Sequence, residues 1–457
     1  MAEKAKGSGF EIDMIHGPLM PKLITFFIPL MCSGILQLLF NAVDLVVVGR
    51  FAGSNALAAV GATTSLIGMI SNLFIGIAIG ANVVAARYIA QGDDEEVFET
   101  VHTSIFIAAI MGFIMLLIGL VFTPIGLRLM DTPEDVIDQS ILYMRIYFCG
   151  MPFFIVYNYS AAILRAAGDT RRPLHYLIIA GVINAALNLV LVIVFHLDVA
   201  GVALATIFSQ MISCVLVLRC LIKSRENYHL NPKRLHINTR ILKKIFAIGV
   251  PAAIQSVVIN FSNVLLQSSV NSFGAISMAG YTAANNLFGF MFASIDSIAQ
   301  ACMSFTSQNY AVYDFKRVRR TLYDCLILDF VVSMALGALI YGFGPQILSI
   351  YNSDAGVIAA GMEVLKYTTL TYFICGFMNC LPGSMRGLGY SSVPMVLSVI
   401  GTVGVRIIWI FIFFPANRNI DFLFISYPAS WLITFLMQAI CLLLVFRRVA
   451  RQSEQMV

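Results

Sequence analysis

Charged residues are scarce in this chain: they make up 12% of its 457 residues, while 59% are hydrophobic. A soluble domain carries roughly 25% charged residues, so this chain cannot cover a globular surface with charge. Apolar stretches of about 20 residues recur along nearly the whole sequence, and each can cross about 30 Å of hydrocarbon. The composition excludes a soluble enzyme and predicts an all-α polytopic membrane protein.

Sequence motifs of the common enzyme classes are also missing. The chain has no GxxxxGK[ST] loop, no HExxH helix and no GxSxG turn, which are typical of nucleotide, zinc-protease and serine-hydrolase sites. Its nine cysteines are scattered through apolar segments without a CxxC pair, so the sequence indicates neither a metal site nor a disulfide framework. We therefore expect no enzyme activity and no cofactor.

Long hydrophobic runs between charged or Gly- and Pro-containing segments predict twelve transmembrane helices. They lie near residues 22–49, 56–84, 99–123, 137–163, 174–196, 199–221, 241–270, 276–305, 320–343, 358–384, 392–414 and 422–446. An even number of spans places both termini on one side. Lys and Arg crowd the segments on that side, whereas the opposite loops hold only Arg50, Arg128 and Arg418. This asymmetry predicts cytoplasmic termini in a bacterial inner (plasma) membrane, and it explains the net charge of +5 without nucleic-acid binding.

The two halves of the sequence repeat each other. LRAAGDTRRP (164–173) matches MRGLGYSSVP (385–394) at an offset of 221, and Pro29 corresponds to Pro251 at an offset of 222. Because each half holds an even number of spans, both halves share one orientation in the membrane. We predict two six-helix lobes related by this parallel repeat, each with a first helix that can bend at its proline. The predicted boundaries are 1–222 for the N-terminal lobe, 223–240 for a cytoplasmic connector and 241–457 for the C-terminal lobe.

Asp44 is the most unusual residue of the first span. A carboxylate inside a membrane helix costs about 3 kcal/mol even on insertion scales, so it normally faces a cavity or a partner. Gln37, Asn41 and Asp44 are spaced four and three residues apart, which places them on one face of a helix. This polar stripe predicts a functional carboxylate. The alternative is an acid that is simply solvated at the outer end of the helix.

Polar residues in two other spans lie at a depth similar to that of Asp44. Asn184 and Asn188 are one turn apart in the fifth span, and Thr206 lies in the sixth. One carboxylate with amide and hydroxyl oxygens can bind a proton or a hard cation such as Na⁺. We predict an ion-coupling site here. The alternative is a pair of asparagines that only bonds neighbouring helices.

Further polar residues within the spans are candidates for a substrate cleft. They are Gln37, Asn41, Asn260, Asn263, Asn285 and Asp296. Asp296 is also a second candidate for a titrating group. Three basic residues, Arg145, Lys366 and Arg406, lie nearer the outer ends of their spans, where we expect them to pair or to extend towards the interface.

Four segments together resemble the multidrug and toxic compound extrusion (MATE) family, and its DinF-like branch in particular. They are IPLMCSGILQLLFNAVDLVVVGRFAGSNALAAVGATTSLIGM (28–69), RYIAQGD (87–93), AAILRAAGDTRRP (161–173) and SQNYAVYDFKRVRR (307–320). The resemblance implies twelve-helix, two-lobed antiporters that expel cationic and amphipathic compounds in exchange for H⁺ or Na⁺. It also implies ion-site roles for Asp44, Asn184 and Thr206, with Tyr143 beside them.

Asn188 departs from the family pattern, because many DinF-like members have an aspartate at this place. Asp44 then remains the only acid of the N-lobe cluster. A site with one formal charge holds Na⁺ less firmly than a site with two, so the sequence favours proton coupling.

The sequence thus predicts a secondary active antiporter that works by alternating access. Its expected partners are small organic cations or amphipathic compounds and membrane lipid, and we expect a monomer that binds no nucleic acid. A flippase for a lipid-linked sugar or another lipid is the alternative within transport, although such a site favours cationic cleft residues. A membrane scaffold or receptor is the alternative from another class, and it needs neither a repeated cleft nor a buried acid.

Overall fold

A computed structural model describes residues 9–130 and 132–454 of the chain. The described part is helical and contains no β-strand. The α-helices are α1 (Leu19–Val47), α2 (Ser54–Gln91), α3 (Asp94–Leu129), α4 (Glu134–Cys149), α5 (Met151–Ala166), α6 (Arg171–Leu189), α7 (Asp198–Lys223), α8 (Thr239–Asn271), α9 (Ala275–Ala311), α10 (Phe315–Gly342), α11 (Gly344–Tyr351), α12 (Ala355–Thr368), α13 (Tyr372–Gly387), α14 (Ser392–Ser398), α15 (Val405–Ile408) and α16 (Ile420–Glu454).

Each predicted span coincides with one helix or with consecutive helices. Among the described residues, ten helices are long and apolar enough to cross a membrane, and α4 with α5 adds an eleventh if this pair, bent by 45°, forms one span. The bend lies beside Pro152, which lacks the N–H that a continuous helix needs. The remaining predicted span, 358–384, coincides with α12 and α13, which a 3-10 turn at Thr369–Thr371 separates. The prediction of an all-α, multi-span membrane protein is confirmed.

The chain divides into two compact units, of which unit 1 contains Cys32–Gly249 and the described residues before Met14. It comprises α2 to α7, the second part of α1 and the first part of α8. Within it, α5 packs between α2 and α3 and also contacts α7. The close approach of α3 and α5 depends on Gly112, because a Cβ there would lie 2.5 Å from Cα of Pro152.

Unit 2 contains Met14–Met31 and the described residues from Val250 onwards. Its central helix is α9, which packs against α10, α12 and α13, while α16 packs against α12 and α13. The first part of α1 belongs to this unit, where the ring of Phe26 meets the ring of Phe305 edge-on at 5.5 Å.

Two helices belong to both units: the first part of α1 lies in unit 2 and its second part in unit 1, whereas the first part of α8 lies in unit 1 and its second part in unit 2. The division falls after Met31 in α1 and after Gly249 in α8, and Pro29 and Pro251 lie within two residues of these points. A proline inside a helix removes one backbone hydrogen bond, so each helix can bend where it passes from one unit to the other. The boundaries predicted at 222 and 241 follow the sequence repeat instead, and we retain them as a proposal for the topological halves.

The connector at 223–240 is bonded to the first turns of α3. The backbone nitrogen of Asn238 donates to Oγ1 of Thr103 at 3.0 Å, and its Nδ2 donates to Oε2 of Glu99 at 2.8 Å. The backbone nitrogen of Asn231 donates to Nε2 of His102 at 3.0 Å. These bonds give the connector a defined place within unit 1.

His236 is a titratable group in the contact between the connector and α3. Its Nδ1 lies 2.8 Å from the carbonyl oxygen of Arg234, and its Nε2 lies 2.8 Å from Oε2 of Glu99. Only an imidazolium donates to both acceptors, so the carbonyl of Arg234 and the carboxylate of Glu99 raise the pKa of His236. The resulting stabilisation is complete below the ordinary histidine pKa of about 6.5 and is lost as pH rises through the raised value.

We therefore expect trypsin to cleave the connector after Lys233 or Arg234 faster at about pH 8 than at about pH 6, once the rates are corrected with a model peptide. His236→Gln removes the titrating group, so its corrected cleavage rate is expected to be the same at both pH values. If the variant keeps the pH dependence of the parent chain, His236 does not control the docking.

Candidate ion-binding site

Asp44 lies in the second part of α1 and is buried, with 9% of its surface exposed. Asn188 of α6 donates Nδ2 to its Oδ1, and Thr206 of α7 donates Oγ1 to its Oδ2 at 3.4 Å. The three helices therefore meet at one carboxylate. An acid that is merely solvated at a helix end would be exposed, so this alternative does not describe Asp44.

Asn188 connects the carboxylate to the rest of α6. Its Nδ2 also donates to Oδ1 of Asn184 at 3.2 Å, and both asparagines are buried. The Oδ1 atom of Asn188 has no hydrogen-bond partner among the residues that the structure describes. A buried acceptor without a partner costs about 1–3 kcal/mol, so this oxygen is available to a donor or a cation that enters the site.

An apolar cluster closes one side of the site. It contains Val47, Val48, Ala56, Ala59, Val60, Val136, Tyr143, Val192, Val199, Val202 and Ala203, and we call it the apolar cap. Val47 follows Asp44 by three residues, Val192 follows Asn188 by four, and Val202 precedes Thr206 by four, which is about one helical turn in each case. The cap therefore lies next to all three site residues along their helices. Tyr143 of α4 is buried in the cap and interacts electrostatically with Asp44. The predicted ion-site role of Tyr143 stays a prediction.

Local backbone features bring α1 and α6 together at the site. Both helices continue as π-helical segments directly beyond the site residues, at Val48–Ala52 and Val190–Val194. Such segments are rare and frequently lie at functional sites. Gly181, one turn before Asn184, accommodates the ring of Phe40 from α1, because a Cβ on Gly181 would lie 1.7 Å from Cζ of Phe40.

The remaining predicted residues do not join this hydrogen-bonded cluster. Gln37, Asn41 and Asn285 are exposed. Nδ2 of Asn260 donates to the carbonyl oxygen of Ser256 within its own helix at 3.0 Å. Asp296 accepts from Nε2 of Gln300 at 2.7 Å and interacts electrostatically with Arg386. The substrate-cleft role of these residues stays a prediction, because Gln37 and Asn41 belong to unit 1 and the other residues belong to unit 2.

The described residues contain no group of three or more His, Cys, Asp or Glu side chains that could hold a metal ion. The donor set at Asp44 consists of one carboxylate with amide and hydroxyl groups, which suits a transported proton or monovalent cation better than a resident transition metal.

Comparison with known proteins identifies the family. The family model described as MatE matches the chain twice, at residues 29–190 and 251–412. The chain belongs to the MATE family. MATE proteins are ion-coupled membrane transporters rather than enzymes, so the prediction of a transporter without enzyme activity is confirmed. The two MATE matches are offset by 222 residues at both ends, which confirms the predicted internal repeat.

Relatives and solved structures extend over nearly the whole chain. The probable multidrug resistance protein YoeA of Bacillus subtilis is 29% identical over 421 residues, which cover 90% of this chain and 91% of YoeA. The multidrug export protein MepA of Staphylococcus aureus is 19% identical over 396 residues, which cover 86% of this chain and 87% of MepA. A MATE crystal structure in complex with MaL6 superposes with a TM-score of 0.91 at 19% identity, covering 98% of this chain and all of the other.

The basic residues within the spans of this MATE protein have three different environments. Lys366 pairs with Glu363 at 3.1 Å, as predicted, and Arg145 is exposed. Arg406 was expected to pair with an acid or to extend towards the interface, and this prediction is wrong. Its side chain is 3% exposed, and Nη1 donates to Oδ1 of Asn263 at 2.8 Å.

Asp329 of α10 is a buried acid that the sequence reasoning missed. Both of its carboxyl oxygens lack a hydrogen-bond partner in the described part of the chain. It packs against α13 at Gly376, where a Cβ would lie 2.0 Å from Oδ1 of Asp329. A signal was present, because this acid interrupts the apolar run of the span predicted at 320–343.

The contact between Gly181 and Phe40 generates a testable prediction. In Gly181→Ala the new methyl group displaces the Phe40 ring, and overpacking of this kind costs about 1–3 kcal/mol. We expect a lower thermal unfolding temperature of the purified protein in detergent, and recovery of most of this loss in the double variant with Phe40→Leu.

Gly68→Ala in α2 is the matched control for this test, because a Cβ at Gly68 has no heavy atom within 4 Å. Its unfolding temperature is expected to equal that of the parent protein. A loss of stability in Gly181→Ala that Phe40→Leu does not relieve would show that the ring contact does not set the spacing of α1 and α6.

Proposed function

We propose that this MATE protein is a secondary active antiporter that exports cationic or amphipathic organic compounds in exchange for protons. The observation that carries the proposal is the buried carboxylate of Asp44, whose hydrogen bonds join α1 to α6 and α7. The names of YoeA and MepA, which refer to multidrug resistance and export, support the substrate class. These names do not favour a lipid flippase.

Protonation of Asp44 changes the bonds that hold the three helices together. The ionised carboxylate accepts from the Asn188 amide and the Thr206 hydroxyl. A protonated carboxyl group carries a donor of its own, and the unpartnered Oδ1 of Asn188 can accept it after rotation of the amide. Binding and release of a proton can thus bias two packings of α1 against α6, as an antiporter requires.

The donor set supports H⁺ rather than Na⁺ as the coupling ion. Among the residues that the structure describes, Asp44 is the only acid in the site, and the Asn188 amide presents nitrogen rather than oxygen to it. A sodium site is built from several oxygen ligands and gains affinity with the number of carboxylates. With one charge and a donor directed at it, Asp44 is better suited to exchange a proton.

The orientation and assembly of the protein complete the proposal. The Lys and Arg asymmetry supports cytoplasmic termini in a bacterial inner membrane. The apolar cap closes the site on the side towards the ends of α1 and α6, which in this orientation is the outer side. Protons from outside therefore reach Asp44 when the cap helices separate during alternating access. We propose that one chain is sufficient for transport.

Asp44→Asn tests the role of the carboxylate. The amide cannot ionise but has nearly the same size, so we expect folding to be retained and proton-driven efflux of an ethidium-like dye to be lost. The measurement is dye efflux in proteoliposomes under an imposed pH gradient. Asp138→Asn, which neutralises an exposed acid of α4 in the same unit, is expected to transport at the parent rate. Dye efflux at the parent rate in Asp44→Asn would exclude the proposed mechanism.

The coupling ion is tested by imposing gradients separately. We expect a pH gradient to drive dye efflux from proteoliposomes, and a Na⁺ gradient at equal pH on both sides to drive none. If a Na⁺ gradient alone drives efflux, the coupling ion is Na⁺ and not H⁺. If neither gradient drives any solute flux, the alternatives are a flippase, which a rescue test in flippase-depleted cells would detect, or a membrane scaffold or receptor.

A further inference from the structure

Three helices of unit 2 meet at the buried guanidinium of Arg406. From α15, its Nε donates to Oγ of Ser430 at 3.2 Å, and Nη1 donates to Oδ1 of Asn263 at 2.8 Å and to Oγ of Ser262 at 3.3 Å. The guanidinium carbon also lies 4.7 Å from the ring centre of Tyr427. These contacts hold the cation in one place between α8, α15 and α16.

The positive charge of Arg406 is not balanced by an acid. All three hydrogen-bond acceptors are neutral, and no carboxylate among the described residues forms an ion pair with it. A buried cation normally has an anionic partner, because hydrogen bonds and a cation–π contact offset only part of its lost hydration. The site therefore has a net positive charge that a bound anion would neutralise.

Two hydrogen-bond donors at this site remain available. Nη2 of Arg406 and Nδ2 of Asn263 have no hydrogen-bond partner within residues 9–130 and 132–454. Arg406 is buried, whereas its partner Asn263 on α8 is exposed, so the accessible side of the site is the asparagine. Guanidinium and amide N–H groups are the donors that bind carboxylate, sulfonate and phosphate oxygens in proteins.

The sequence repeat relates this site to the Asp44 site. Arg406 follows Asn184 by 222 residues, and Asn263 follows Asn41 by the same number, which is the offset of the two MATE matches. At this offset Asp44 corresponds to Leu266. α8, α15 and α16 therefore stand in unit 2 where α1, α6 and α7 stand in unit 1. The three-helix junction of unit 2 therefore contains a base and that of unit 1 an acid, at positions that the repeat does not pair.

We propose that Arg406 and Asn263 form an oxyanion-binding site for the carboxylate, sulfonate or phosphate group of an amphipathic compound that the protein exports. This inference rests on the proposed export function and extends its substrates from cations to anionic and zwitterionic amphipaths. Arg406 supplies the charge and the N–H groups of Nη2, and Asn263 orients the guanidinium through Oδ1 and offers Nδ2 as the second donor. The apolar chain of the ligand lies outside this site.

The test measures binding without any gradient, so it does not depend on ion coupling. The probes are dansyl-labelled undecanoate and its uncharged carboxamide, which differ only in the acid group, and binding is followed by dansyl fluorescence with the full chain in dodecyl maltoside micelles, which contain no phosphate. We expect the parent protein to bind the carboxylate about tenfold more tightly than the carboxamide. Equal affinities for the two probes would overturn the proposal.

Variants of Arg406 and Asn263 test whether these two residues cause the preference for the carboxylate probe. Arg406→Gln is expected to remove the preference for the carboxylate and to leave carboxamide binding unchanged. Arg406→Lys keeps the charge but loses the Nη2 donor and the bonds that fix the guanidinium, so part of the preference remains, and Asn263→Ala lowers it several-fold. Arg145→Gln, at an exposed position, is the matched control and keeps the full preference. A full preference in Arg406→Gln would also overturn the proposal. If Arg406→Gln does not fold, the proposal is still tested by the preference of the parent protein for the carboxylate probe and by the lower preference expected for Asn263→Ala.

Two further measurements are needed. One distinguishes a lipid phosphate from a solute as the source of the oxyanion, and the other distinguishes this proposal from the proposed export function. Phosphatidylglycerol added to the micelles competes with the carboxylate probe in the parent protein if a lipid phosphate occupies the site, and leaves the affinity of the probe unchanged if the site takes solutes. Asp44→Asn is expected to lose proton-driven transport but to keep the carboxylate preference. If the proposed export function is wrong, the proteoliposome transport measurement shows it and the binding preference is unaffected. If the oxyanion site is wrong, the binding measurement shows it and transport is unaffected.

Discussion

The hydrogen bond from Asn188 to Asp44 joins α6 to α1 and makes a buried carboxylate tolerable in a membrane protein. A charge in the hydrocarbon region is retained only where other groups replace the water it has lost. Here the Asn188 amide and the Thr206 hydroxyl do so, while the apolar cap excludes solvent on one side. The hydrogen bonds between α1, α6 and α7 at this point thus depend on the charge of Asp44.

The same constraint acts on Arg406 in unit 2, with the opposite sign. Its guanidinium contacts neutral oxygens of Asn263, Ser262 and Ser430 and the ring of Tyr427, and no acid of the described part of the chain pairs with it. Each unit thus has a junction of three helices with one buried charge, an acid in unit 1 and a base in unit 2.

Much of the fold could be predicted because hydrophobic length is a local property. Each of the twelve predicted spans contains the apolar run that the structure shows as one helix or as consecutive helices. The depth of Asp44, Asn188 and Thr206 could also be predicted, since the position along a helix follows from counting residues. The burial of Arg406 could not be predicted in this way, because distance from a helix end does not tell which neighbours cover a side chain.

The membrane class, the internal repeat and the residues that bring polar groups into apolar helices all follow from the order of the amino acids. Which of these polar groups meet depends on how the helices pack. Asn188 bonds to Asp44, whereas Asn263, which was expected in a substrate cleft, bonds to Arg406. The helical period tells which residues share a face, but the partner of that face depends on how α1 packs on α6 and how α8 packs on α15, through contacts such as that of Phe40 with Gly181.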